Sequence, residues 1–365
     1  MTSKNKENII EKGRYDIIVF IQASADLRYA LSIYEKNKEK DVLLCVVNVE
    51  SIFRYLCDLS IPNVSVFFIK PIFYSLKKPL SISKARKEFR ALLSVFNSIL
   101  FDEIYFFSRI DDWVTCGLIG NLSNKGKNIF YSKHYDDLGL SKINKKTLYY
   151  WKAQFHSKIA SFLTGVDFIS RFYGKPLEFC FWKYSIIEEK QNDNILIDQK
   201  YFYEIKNIEN KKNILFFLTP EDLDFITENT KGHLLNVLSK LKTNSDYNLC
   251  LKGHPRMGTP EELFPYFDFV LPDYIPSEFI DYTNFLIVIG VGTAALAYPL
   301  KLGIDVKVFS IVNDSEFKNM KHKIFYKNYL DELTNNQIKY ASLEDIEKLL
   351  RNEYPSPYHH HHRCL

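Results

Sequence analysis

Short apolar runs rich in β-branched and aromatic residues recur along this chain, and most are followed by a stretch with helical spacing. "YDIIVFIQASADLRYALSIYE" (15–35) reads as a buried strand, a polar loop and an amphipathic helix, and "KDVLLCVVNVESIFRYLCDL" (40–59) repeats that order. "NVSVFFIKPI" is a third strand-like run, and "DEIYFFSR" is a fourth after a basic helical segment. "WVTCGLIGNLS" has helical spacing and "KNIFYSKHYDD" carries a fifth strand. Strands that are apolar throughout, without in-out alternation, belong to parallel sheets covered on both faces by crossover helices. The fold class expected is therefore α/β.

The alternation pauses over residues 188–212, which are polar and rich in Asn and Lys, and then restarts. "NILFFLTP", "YNLCLKGHP", "FDFVLPD", "FLIVIG" and "DVKVFS" read as strands, with helices expected near 233–243, 275–283, 293–303 and 343–353. A chain of 365 residues is too long for one small core. The pattern describes two Rossmann-like domains facing a cleft, residues 1–200 and 201–365, with the polar stretch as their connection.

Lys and Arg exceed Asp and Glu by only four charges. That is too few for the clustered basic face of a nucleic-acid binder, so no nucleic-acid partner is expected. The excess is compatible with an anionic substrate, or with peripheral contact with the inner face of the cytoplasmic membrane. The N-terminal apolar run Ile17–Ile21 is too short for a leader, and no later run reaches the length needed to span a bilayer. Six cysteines without a Cys-x-x-Cys spacing indicate a reducing, cytoplasmic compartment. The terminal "HHHHRCL" is given no role.

Two segments of the second half carry the chemistry. "YNLCLKGHPRMGTP" ends an apolar run in Lys252, Gly253, His254, Pro255 and Arg256. A turn needs the Gly and the Pro, but not three potential cations beside them. "FLIVIGVGTAALAYPLKLGIDVKVFS" matches Gly-x-Gly-x-x-Ala between a strand and a helix, through Gly290, Gly292 and Ala295. As a dinucleotide fingerprint it lacks both a second mononucleotide half downstream and an acidic residue at the end of the next strand. Two readings remain: an anion bound at Gly292, Thr293 and the following helix start, or simple tight strand–helix packing. Ligands of open α/β sheets sit at the carboxyl ends of the strands, so both segments belong to one edge.

The first half offers acidic residues. "HYDDLGL" places Asp136 and Asp137 at the end of a strand, where one carboxylate can raise its neighbour's pKa and make a general base. The same residues also suit a turn. Asp111–Asp112 is expected to cap the following helix. Gln22, Ser24 and Asp26 lie in the loop after the first strand, where an acceptor would rest.

With these residues placed, the chain resembles bacterial sialyltransferases of the two-domain GT-B fold: lipooligosaccharide sialyltransferases, polysialyltransferases and multifunctional sialyltransferases. The resemblance rests on an acidic pair followed by Gly (Asp136-Asp137-Leu138-Gly139, with Leu138 inserted), Lys252-Gly253-His254-Pro255, the Pro-x-Glu stretch ending in Glu278, and a Gly292-Thr293 loop. It covers roughly residues 100–310. It implies an inverting, metal-independent transferase without a resident cofactor, whose partners are a CMP-activated nonulosonic acid donor such as CMP-sialic acid and a bacterial surface glycan acceptor (lipooligosaccharide, O-antigen or capsule). Asp137, or Asp136, would be the base. His254, Lys252, Gly253, Pro255 and the Gly292–Thr293 loop would hold the leaving phosphate, and Glu278 the ribose hydroxyls. The alternatives are a GT-B transferase using another nucleotide sugar, a GT-B-like sugar-nucleotide epimerase, and a non-catalytic nucleotide-binding protein of polysaccharide assembly.

Overall fold

A computed structural model of the chain describes residues 10–107, 111–133, 141–173, 175–190, 195, 197–205, 211–244 and 246–353. The chain divides into two compact units, Met1–Asp198 and Gln199–Leu365.

In the first unit, β1 (Arg14–Ile21), β2 (Val42–Val47), β3 (Val64–Ile69), β4 (Leu100–Phe106) and β5 (Asn128–Lys133) alternate with α1 (Ser24–Glu35), α2 (Glu50–Leu59), α3 (Pro79–Asn97) and α4 (Trp113–Leu122). Then come α5 (Leu148–Thr164), the short antiparallel pair β6 (Phe168–Ile169) and β7 (Glu178–Phe179), and β8 (Ile186–Lys190). The parallel sheet runs β3-β2-β1-β4-β5-β8. β2 is buried at every position, as a strand covered on both faces must be. Phe89, Phe96 and Leu118 of the covering helices complete this core.

The second unit contains β9 (Lys212–Phe217), α6 (Pro220–Phe225), α7 (Glu228–Lys242), β10 (Tyr247–Lys252), β11 (Phe269–Val270), β12 (Phe285–Gly290), α8 (Ala297–Lys301), β13 (Lys307–Ser310), α9 (Met320–Leu333), β14 (Lys339–Tyr340) and α10 (Leu343–Glu353). Its parallel sheet runs β11-β10-β9-β12-β13-β14. With strands numbered along the chain within each six-stranded sheet, both follow the order 3-2-1-4-5-6, the Rossmann arrangement. The chain thus has two Rossmann-like α/β domains.

Several expectations are corrected. Residues 188–190, expected as the start of the connection, belong to the edge strand β8, which pairs with β5. Its charged half, Glu188, Glu189 and Lys190, is the kind of sequence that protects a sheet edge from further pairing. The helix expected near 275–283 is two 3₁₀ turns, Ser277–Phe279 and Tyr282–Asn284. The helix expected over 293–303 is a 3₁₀ turn, Ala294–Leu296, followed by the five-residue α8. α5 and α9 add two helices that the sequence pattern does not announce.

Candidate functional site

The order 3-2-1-4-5-6 reverses direction between the first and fourth strands, and ligands of such sheets gather outside the carboxyl ends there. In the second unit this point lies between β9 and β12. The register sets the strand ends level: Lys252 of β10 pairs with Phe217 of β9, Phe217 with Gly290 of β12, and Gly290 with Ser310 of β13. The two segments singled out in the sequence therefore flank the end of β9 on its two sides.

Beyond Lys252 the chain makes a tight return. The His254 N–H donates to Gly258 O (2.9 Å) and the Gly258 N–H to His254 O (2.8 Å). A β-carbon on Gly253 would lie 2.7 Å from Thr259 Cα, so only glycine fits there. Gly258 turns the chain with φ +81°, in the left-handed region. The return is closed by the His254 ring, whose Nδ1 accepts from the N–H groups of Arg256 (3.1 Å) and Met257 (3.3 Å). A nitrogen that accepts two such bonds carries no proton, so the imidazole holds its proton on Nε2. Burial pushes the His254 pKa down, with the positive charges of Lys252 and Arg256 acting in the same direction and Glu221 opposing them. His254 is thus a neutral, oriented N–H donor in half-buried surroundings.

Lys252, a candidate holder of the leaving phosphate, turns inward. It is 1% exposed, and its Nζ donates to Gly253 O (2.8 Å) and Asp273 O (2.9 Å). Burial brings its pKa down to about 8, with Asp273 opposing. It stays largely protonated at neutral pH, braces the return from beneath, and acts on its surroundings through charge.

The glycine loop also differs from the anion-binding reading. A β-carbon on Gly292 would meet the Tyr326 ring of α9 at about 2.5 Å, and one on Gly290 would lie 3.1 Å from Leu296. The close approach that these glycines permit is therefore made by protein side chains. Thr293 caps the 3₁₀ turn by accepting from the Ala295 N–H (3.3 Å). Glu278, on the 3₁₀ turn after Pro276, is 9% exposed and accepts from the Tyr298 hydroxyl of α8. That bond ties the Pro-x-Glu turn to the element that follows the glycine loop.

The loop after β9 adds an acidic residue that the two sequence segments above do not include. Thr219 and Asp222 cap α6 reciprocally: the Asp222 N–H donates to Thr219 Oγ1 and the Thr219 N–H to the Asp222 carboxylate, both at 3.1 Å. Burial raises the Asp222 pKa to about 6. Beside it, Glu221 accepts from the Tyr326 hydroxyl at 3.5 Å. The signal was present in "LTPED": a strand end running into Thr-Pro-x-Asp.

In the first unit the corresponding point lies between β1 and β4. Asp26, fully buried, accepts from the N–H groups of Gln22 (2.8 Å) and Ala23 (2.9 Å). Asp112 caps α4 by accepting from the Val114 N–H (3.2 Å) and the Thr115 hydroxyl (2.9 Å), as expected of it, and also from Gln22 Nε2 (3.4 Å). Asp136 and Asp137 lie outside the described residues.

A depression of about 370 Å³ in the second unit, lined by Lys212, Asn213, Thr283 and Phe285, opens at the amino ends of β9 and β12, away from this chemistry. Among the described residues no group of three or more His, Cys, Asp and Glu side chains is placed to hold a metal ion. Among them, too, no helix is long and apolar enough to cross a membrane.

No protein-family model and no curated protein sequence matches the chain. Solved structures give a coarse likeness. A sialyltransferase from Photobacterium damsela is 14% identical, with 90% of this chain and 81% of that chain covered and a TM-score of 0.44. Escherichia coli ADP-heptose lipopolysaccharide heptosyltransferase II is 9% identical over 81% of this chain and 84% of that one, with a TM-score of 0.38. UDP-GlcNAc 2-epimerase from Methanocaldococcus jannaschii is 9% identical over 92% and 99%, with a TM-score of 0.39. Likenesses at this level assign no activity.

Proposed function

We propose that the chain is an inverting glycosyltransferase that moves a sialic acid or related nonulosonic acid from a CMP-activated donor to a hydroxyl of a bacterial surface glycan. The observation that carries the reading is the His254 return at the carboxyl end of β10. Two backbone N–H groups fix Nδ1 as an acceptor, so Nε2–H is the group left to donate.

The reaction asks for such a donor. As the bond between the sugar's anomeric carbon and the phosphate oxygen breaks, the sugar takes on oxocarbenium character and negative charge grows on the departing CMP. A preoriented neutral N–H, with a buried ammonium behind it, stabilises that charge without reorganising. The acceptor hydroxyl forms the new bond and passes its proton to a carboxylate, for which Asp137 or Asp136 is the candidate. Glu278 would take the ribose hydroxyls, with Tyr298 keeping its carboxylate in place. In this reading side chains meet the charge, and no resident cofactor is invoked.

Thermal denaturation with added nucleotides tests the donor assignment. CMP should raise the midpoint clearly above the shifts given by UMP, GMP and NAD. Equal shifts with CMP and UMP would point to a transferase of another nucleotide sugar. A preference for NAD would restore the dinucleotide reading of 290–295.

A further inference from the structure

The surface of the first unit carries a feature that the donor site does not use. On α5, Leu148, Trp151 and Phe155 are 85%, 65% and 55% exposed, and Phe162 is 55% exposed. Their spacings of 3, 4 and 7 place all four on one face of a helix. The opposite face is the buried one, with Ala153, Ser157 and Ala160 turned into the unit. An amphipathic helix normally turns its apolar stripe inward. Here large aromatic side chains face outward as well.

A neighbouring segment extends the same surface. The Tyr74 hydroxyl bonds His156 Nδ1 at 3.0 Å, Arg86 of α3 lies 4.1 Å from the Phe162 ring, and Ala85 packs with Ile159 and Leu163. These contacts set the loop before α3, and its first turns, beside α5. That loop and helix start expose Phe73 (80%) and Leu80 (86%).

Charge completes the pattern. Residues 70–87 and 141–164 contain eleven Lys and Arg and no Asp or Glu, although the whole chain is nearly balanced at 48 against 44. Lys152 and Lys158 are exposed on either side of the α5 stripe, and Lys77, Lys78 and Lys84 are exposed beside Leu80. α9 also exposes apolar residues, Met320, Ile324 and Phe325 among them, beside Lys321, Lys323 and Lys327, but on a single helix that carries Asp331 and Glu332 in its last turn, whereas the α5 surface joins two carboxylate-free segments.

We infer that this face of the first unit docks on an anionic phospholipid bilayer. Trp and Phe side chains favour the headgroup boundary, and lysines around them are drawn to the negative leaflet. A protein partner could cover the aromatics, but it would not by itself account for the absence of carboxylates across both segments. The inference stands apart from the donor assignment, since it uses no residue of the second unit.

Vesicle flotation of the full chain tests it. At about 0.1 M salt the protein should bind vesicles containing about 30% phosphatidylglycerol at least tenfold more tightly than pure phosphatidylcholine vesicles, and salt should weaken that binding. Trp151→Ala/Phe155→Ala should lower the affinity about tenfold or more, and Lys152→Glu/Lys158→Glu should remove the preference for anionic lipid. A cooperative thermal transition at the wild-type midpoint serves as the check that the variants remain folded. Equal binding to both vesicle types, or affinity unchanged in both variants, would overturn the inference. A dimer in sedimentation that ignores vesicles and is broken by Trp151→Ala/Phe155→Ala would overturn it too, assigning the face to a second copy.

Discussion

In the first unit, the loops leaving β1 and β4 are held by carboxylates: Asp26 gathers two N–H groups, and Asp112 caps α4 while reaching Gln22 across the strand order's turning point. In the second unit, the neighbouring strand end at β10 is closed by a histidine ring and braced by a buried ammonium. Both sheets have the same strand order, so topology decides where the loops converge. The residue types at the strand ends decide what the edge attracts. One edge is lined with hydrogen-bond acceptors already engaged in shaping loops. The other presents a preoriented donor in a positive field, suited to an anion.

The largest effects should come from the residues assigned to bond breaking. His254→Ala should lower kcat by about 10²–10³, the range for loss of one donor to a developing anion. Free CMP should lose less in affinity than turnover loses in rate. Asp137→Asn should cost at least about 10² in transfer, as expected for a general base, and Asp136→Asn should cost less. Because the donor site is assigned to the second unit, CMP affinity should stay nearly unchanged in both. The reverse ranking would move the base to Asp136. If neither change slowed transfer, the acidic side of the contrast would be structural only.

A pH series sharpens the electrostatic half. Lys252, with its pKa near 8, should lose charge between pH 7 and 9, so CMP affinity should fall over that range. Folding stability should move the opposite way. The native state binds fewer protons than the unfolded chain between about 8 and the usual lysine value, so stability rises with pH there. Opposite slopes for affinity and stability would separate the charge of Lys252 from its packing. Flat affinity would reduce Lys252 to a brace.

Two smaller effects concern packing. Gly292→Ala should destabilise the fold by about 1–3 kcal/mol through the Tyr326 ring, and Tyr326→Ala should relieve much of that cost. A loss of CMP affinity that persists in the double variant would return Gly292 to the phosphate. Asp222→Asn should flatten the fall in stability between pH 4 and 6. The native state binds the extra proton there, because burial holds the Asp222 pKa near 6. Urea titrations across that range would measure the difference.

Much of this architecture was legible in the sequence because parallel strands are apolar throughout and announce themselves. The site was only partly legible. "LKGHPR" located the return and its histidine, but sequence cannot show that Lys252 turns inward onto two carbonyls rather than outward to solvent. Gly290 and Gly292 announced a close approach without saying what approaches, and the answer, for Gly292, comes from distant Tyr326. α5 escaped notice because its aromatics face outward and blur the helical period. β8 escaped because the charges that protect an edge strand also look like a linker.

The central claim is that His254 offers a neutral Nε2–H to the phosphate of a cytidine nucleotide, and ¹⁵N NMR of histidine-labelled protein tests it most directly. With the His254 signals assigned by loss in His254→Ala, the account requires an unprotonated Nδ1 and a protonated Nε2 at neutral pH. Adding CMP should shift Nε2, while cytidine, which lacks the phosphate, should leave it largely in place. An imidazolium at neutral pH, or ring nitrogens indifferent to CMP, would contradict the account.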